Sequence, residues 1–274
     1  QSIRFKESDV REMGRSAGGV KAIKMSKGDE LIGASVVREA YKNPEFLVMS
    51  EHGYGKKTLF KEYKMAVFFI FATLLGVVLQ ISNAWASEFM RSFASNYPNS
   101  FAVTNSNTFI ALSQVSETLF ILTIPFFLKR FGIKTVMIMS MLAWFFRFGL
   151  FGIGSPTGIG AGYLIMSMVV YGAAFDFFNI SGSLFIEIET DSKYRGSAQG
   201  LFILLTNGVG AVLGGMGSGY IVQKYSVYEG INLVSRNWEA IWLIFSTYAL
   251  ILAISFTLIF KYKHNPKQLK AIKH

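Results

Sequence analysis

Three ionisable side chains interrupt long apolar runs of this chain: Glu117, Arg147 and Asp176. Burying a charge at bilayer depth costs about 2.5–3.5 kcal/mol on insertion scales, so such residues are kept where they line a substrate or proton path. Polar pairs at helical spacing lie around them. Gln80 and Asn83, Gln114 and Glu117, and Asp176 and Asn179 are each three residues apart. Residues at i and i+3 are neighbours on a helix surface, so each pair makes a compact hydrogen-bonding patch. Tyr171, Phe175, Phe177 and Phe178 surround the last patch. Amides that both donate and accept, set beside aromatic faces, suit a flat polar heterocycle carrying hydroxyls. Amides also glue helices together, at about 0.6 kcal/mol per contact on average. Three patches on three helices fit a shared polar cavity better than three independent glue points.

Charge adds a mechanism. Arg147 keeps its proton, whereas a desolvated carboxylic acid can retain one. One acid is expected to pair with Arg147 and the other to carry a proton; the residue types do not decide which. A static arginine–carboxylate lock between helices is the alternative. An acid that is neutral in one state and ionised in another is what proton-coupled transport requires. The chain has no cysteine, and His52, His264 and His274 stand far apart outside the apolar runs. Neither a metal site, nor a cofactor other than the coupling proton, nor an enzyme's nucleophile–base arrangement is expected.

These residues need elements to hold them. At 274 residues, 51% hydrophobic and 16% charged, the chain is too apolar for one soluble domain. Hydropathy predicts six spans, near 65–86, 108–128, 134–153, 158–186, 198–222 and 240–260. Each is about 20 residues or longer, enough for a helix to cross ~30 Å of hydrocarbon. Helices are required, because open strands leave backbone groups unpaired in lipid. The net charge of +10 sits largely in loops beside the spans. Lys56 to Lys64, Lys129, Arg130, Lys134, Lys193, Arg195 and the lysines after 260 fall on one side, which predicts that both ends of the membrane region are cytoplasmic. Gly208, Gly210, Gly214, Gly215, Gly217 and Gly219 crowd the fifth span and read as helix packing.

The stretches LLGVVLQISNAW (74–85), SQVSETLFILTIPFFLKRFGIKTVM (113–137), AWFFRFGLF (143–151), YGAAFDFFNISGSLFIE (171–187) and RGSAQGLFILLTNGVGA (195–211) resemble the nucleoside:proton symporters of the major facilitator superfamily. The resemblance runs from Leu59 to His274 and corresponds to the carboxy-terminal six helices of a twelve-helix transporter. It implies an all-α membrane fold and nucleoside import driven by the proton gradient across a bacterial inner membrane. It also implies a nucleoside held by Gln80, Asn83, Gln114, Glu117, Tyr171, Phe175 and Asp176. Such transporters rock two six-helix halves around a midplane site. The amino-terminal half is therefore an expected partner, and this chain alone is not expected to transport as a monomer.

The first 62 residues differ in kind. Short β-type pieces at 2–5 and 46–50 are punctuated by glycines. The strings SIRFKESDVREMGRSAGGVKAIKM (2–25) and FLVMSEHGYGKKT (46–58) resemble a blade of the carboxy-terminal β-pinwheel of the gyrase A protein, which wraps DNA. A membrane-anchored fragment of that DNA-binding module is the alternative function. The family's glutamine-arginine-glycine box is absent, and one blade cannot close a propeller, which argues against DNA binding. GKKT runs into LFKEYKMAVFF near 57–65 with no linker. The expectation is a chimera of a partial blade, 1–62, and a six-helix half-transporter, 63–274. Gln1 at the start fits a fragment.

Overall fold

A computed structural model describes residues 45–49 and 55–262, with side chains from 64 onward. The expected blade pieces before residue 45 lie outside the described residues. The strand expected at 46–50 is present as β1 (Glu45–Met49), paired antiparallel with β2 (Gly55–Leu59) so that Leu47 faces Lys57.

Everything after β2 is built on helices: α1 (Phe60–Ser92), a short α2 (Phe101–Thr104), α3 (Ser106–Phe131), α4 (Ile133–Ile153), α5 (Gly158–Glu189), α6 (Arg195–Ile203), α7 (Gly210–Lys224) and α8 (Trp238–Ile259). A six-residue π turn, Leu204–Val209, joins α6 to α7, so the two make one span. Six of the resulting rods are long and apolar enough to cross a membrane. The all-α membrane fold is as expected, and the rods overrun the predicted bounds. α1 and α5 extend over 33 and 32 residues because their polar ends remain helical.

Tight reversals keep the rods antiparallel. Gly132, at φ +80°, lies between α3 and α4, and its N–H closes onto the Leu128 carbonyl at 3.0 Å. A side chain is strained in that backbone region, which is why glycine stands there. Beyond α7 a β-hairpin, β3 (Ser226–Glu229) with β4 (Asn232–Arg236), turns at Gly230 (φ +63°).

Rings fill the interior. Phe89 meets Phe151, Trp238 and Trp242, each at 5.5 Å, and Phe68 meets Phe185 at 4.9 Å and Phe202 at 5.4 Å. Lipid gives helices no hydrophobic drive to associate, so close packing and interhelical hydrogen bonds must hold them. Serines supply the bonds. The hydroxyls of Ser116, Ser140 and Ser246 donate to the carbonyls of Val169, Ala174 and Phe145 on neighbouring helices.

Glycines supply the closeness, though not where their density is highest. A Cβ on Gly76 would stand 2.2 Å from the Thr206 carbonyl oxygen in the π turn, and one on Gly172 would stand 2.6 Å from the Ser116 carbonyl oxygen. Gly210 and Gly214 also abut α1, but Gly215, Gly217 and Gly219 have nothing within 4 Å. The expectation that the whole run packs helices is corrected: one face of α7 packs, and the other glycines lie off it.

Candidate substrate-binding site

The close crossing at Gly172 sets the site's geometry. It brings the backbone of α3 at Ser116 and Glu117 against α5 one turn before Asp176. Glu117 is half-buried, Asp176 is only 3% exposed, and the two carboxylates interact electrostatically with each other and with Tyr171. Asp176 Oδ2 is buried without a hydrogen-bond partner among the described residues.

One turn before Phe175 on α5, Tyr171 stacks on it, with centroids 5.9 Å apart and planes 4° from parallel. Trp144 meets Tyr171 edge-on at 5.7 Å. This is a flat aromatic wall. Phe177 is not part of it, because it turns into α3 against Phe120 and Phe127.

The amides behave differently from glue. Gln80 is half-buried where α7 crosses α1, whereas Asn83 and Gln114 are exposed. Among the described residues, the side chains of Gln80, Asn83, Gln114 and Glu117 form no hydrogen bonds. Asn179 alone uses its amide locally, donating to the Phe175 carbonyl at 3.1 Å. A recess of about 10 Å³, room for no more than a water, lies between α1, α4, α5 and the π turn, lined in part by Gly76, Trp144, Phe175, Phe178, Asn179 and Thr206. It shares only Phe175 with the residues predicted to hold a nucleoside, and the two carboxylates are outside it.

Arg147 is the main departure. Its Nε donates to Ser82 Oγ at 3.2 Å, and its Nη1 to Ser167 O at 2.8 Å and Ser113 Oγ at 3.5 Å. Its carbonyl accepts from Ser167 Oγ at 3.0 Å. The guanidinium lies 4.5 Å from the Tyr171 ring centroid and 4.9 Å from that of Phe151. Among the described residues no carboxylate forms an ion pair with it; the pairs present are Arg195 with Glu187 and Arg236 with Glu88. The expected arginine–carboxylate pairing is therefore replaced by neutral ligands. Short groups from α1, α3 and α5 take the donors while two rings take the faces. Sequence reasoning missed Ser82, Ser113 and Ser167. The first two adjoin or fall between the singled-out polar residues, and a serine in an apolar run carries little periodic signal.

Arg147→Met is expected to lower the melting temperature of the detergent-solubilised chain strongly, since each buried partner left unpaired costs about 1–3 kcal/mol. Arg147→Lys should recover part of the loss, because an ammonium reaches some of the oxygens but cannot lie flat on Tyr171. Equal melting of both variants and wild type would show that the network carries no stability.

The nucleoside H+ symporter family profile matches residues 45–265. The chain belongs to the nucleoside H+ symporter family. Among its relatives, xanthosine permease of Escherichia coli is 48% identical over 251 residues, covering 87% of the chain and 59% of the permease. Nucleoside permease NupG of Escherichia coli is 51% identical over 208 residues, covering 75% and 49%. A solved structure of the nucleoside transporter NupG superposes with a TM-score of 0.68 at 50% identity, over 74% of this chain and 50% of that one. The chain thus spans about half the length of the relatives it matches. With its six apolar helices it is a multi-pass inner-membrane protein. A second profile, the DNA gyrase C-terminal β-propeller domain, matches residues 1–38. The gyrase A protein of Staphylococcus epidermidis is 44% identical over 64 residues, 23% of this chain and 7% of that protein. Among the described residues no group of three or more His, Asp or Glu lies together as a metal site.

Proposed function

We propose that the six-helix part is the carboxy-terminal half of a proton-coupled nucleoside importer, working by alternating access once an amino-terminal half faces it. The observation that carries this reading is the close α3–α5 crossing, which sets Glu117 and Asp176 near the stacked Tyr171–Phe175 pair, with Asp176 Oδ2 buried and unpartnered among the described residues. The side chains of Gln80, Asn83, Gln114 and Glu117 form no hydrogen bonds among the described residues, which leaves their polar groups available to a ligand. Structural amides would have spent those groups across helices. A nucleobase stacks on the ring pair while amides and carboxylates take its polar edge and the ribose hydroxyls. Glu117, Asp176 or both then carry the proton. The role is transport rather than covalent catalysis, and the relatives are named as permeases.

Both ends of the membrane region are cytoplasmic in this reading, supported by the lysines and arginines on one side of the spans. Residues 1–62 form a separate gyrase-like piece joined near 57–65 in this reading, supported by the propeller profile over 1–38 and the 64-residue gyrase A match, while the symporter profile begins upstream of that join, at 45. DNA binding is no part of the proposed function.

The test is saturable binding of radiolabelled uridine and xanthosine. It uses the purified chain, alone and co-expressed with the first six helices of NupG. Binding that appears or tightens with the added half, and is lost in Gln80→Ala and Gln114→Ala, is expected. Absence of saturable binding in a co-purified two-part complex would overturn the reading.

A further inference from the structure

The β3–β4 hairpin carries a set of exposed apolar side chains. Ile231, next to the turn, is 97% exposed, and Val227, Leu233 and Val234 are exposed with it. Clustered exposed apolar side chains mark a protein or membrane partner. The connections hold the hairpin close to the membrane. Tyr225 alone separates α7 from β3, and Asn237 alone separates β4 from α8. The Asn237 N–H closes this base onto the Tyr225 carbonyl at 2.9 Å.

Arg236 pins the base further. It pairs with Glu88 at the far end of α1, donates from Nε to Ser226 Oγ at 3.1 Å, and lies 5.8 Å and 5.5 Å from the rings of Trp85 and Trp238. Trp85 in turn donates to Ser218 Oγ on α7 at 2.8 Å. Trp238 is itself buried against Phe89 and Trp242, so this cluster fixes the hairpin's base to the helix ends.

The exposed surface of α7 and α8 below the hairpin is apolar, as a lipid-facing surface is. Exposed positions on α7 and α8 include Leu213, Met216, Ile251, Ile254 and Leu258. The exposed Thr247 and Thr257 return their hydroxyls to carbonyls of their own helix at 2.8 and 2.7 Å, as groups surrounded by hydrocarbon must. The polar residues of the candidate site stand instead on α1, α3 and α5. We infer that the β3–β4 hairpin is a membrane-surface anchor, seating its apolar side chains in the headgroup–acyl boundary beside α7 and α8. Its partner is the lipid surface, and the reading does not depend on what the bundle transports.

The chain has no cysteine, so Ile231→Cys and, separately, Leu233→Cys each give a single thiol for a bimane label. The labelled full chain is reconstituted in phosphatidylcholine vesicles. Expected are a blue-shifted emission at both positions and stronger quenching by headgroup-proximal spin-labelled phosphatidylcholine than by aqueous iodide. Dominant iodide quenching at both would place the hairpin in water and overturn the inference. A blue shift with neither quencher effective would overturn it in favour of burial against protein, a second copy of this chain included.

Discussion

Asp176→Asn and Glu117→Gln, each placed in a complete twelve-helix transporter, are expected to abolish proton-driven nucleoside accumulation while leaving the protein in the membrane. Both changes keep the shape of the side chain and remove its ability to ionise, so they separate a proton carrier from a packing residue. The sign of the pH effect follows from the direction of transport. If protons enter with the substrate, wild-type import rises as external pH falls below internal pH, because the outward-facing acid loads more often. The variant that has lost the carrier should show uptake insensitive to external pH, and exchange of labelled for unlabelled nucleoside can persist without net proton movement. Wild-type pH dependence in both variants would remove these carboxylates from the proton path. Asp176, nearly inaccessible and with a buried oxygen unpartnered among the described residues, is expected to show the larger loss.

Gly172→Val should be nearly as damaging without touching a polar group. The new Cβ would meet the Ser116 carbonyl oxygen at 2.6 Å and the Glu117 amide nitrogen at 2.8 Å, and backbone atoms cannot step aside as a flexible side chain would. Overpacking of this kind costs about 3 kcal/mol, the upper end of its usual range. The relaxation available is for α3 to slide away from α5, which carries Glu117 away from Asp176. A lower melting temperature together with lost nucleoside binding is the expected pair of results. Gly217→Val is the control: nothing lies within 4 Å of that glycine, so its stability should hold. Indistinguishable melting curves for the two variants would show that the α3–α5 crossing is looser than its geometry indicates.

The six spans were legible because a bilayer imposes length and apolarity together, a demand that hydropathy reads directly. The polar pairs were legible because amides and acids are rare in such segments. Packing was less so. Six glycines in one span drew attention to α7, while two isolated ones, Gly76 and Gly172, sit at backbone contacts. Contact depends on which face meets a neighbour, and composition does not encode that. Arg147 stood out as a charge, but its ligands did not, since Ser82, Ser113 and Ser167 come from three helices whose relative rotation no local pattern sets.

The π turn at Leu204–Val209 has a consequence for how the fifth span is phased. A wider turn admits an additional residue, and in a helix of 3.6 residues per turn one residue is worth about 100° of rotation. The two halves of the span are therefore out of step. Before the turn, Gln199 addresses α5 through Ser183; after it, Gly210 and Gly214 address α1. A single rod thus serves two neighbours, as a shaft with an offset keyway drives two gears. Its helical wheel must be drawn twice, and a one-residue deletion between 204 and 209 would remove the additional residue, closing the turn to an ordinary α turn while the later side chains keep their neighbours.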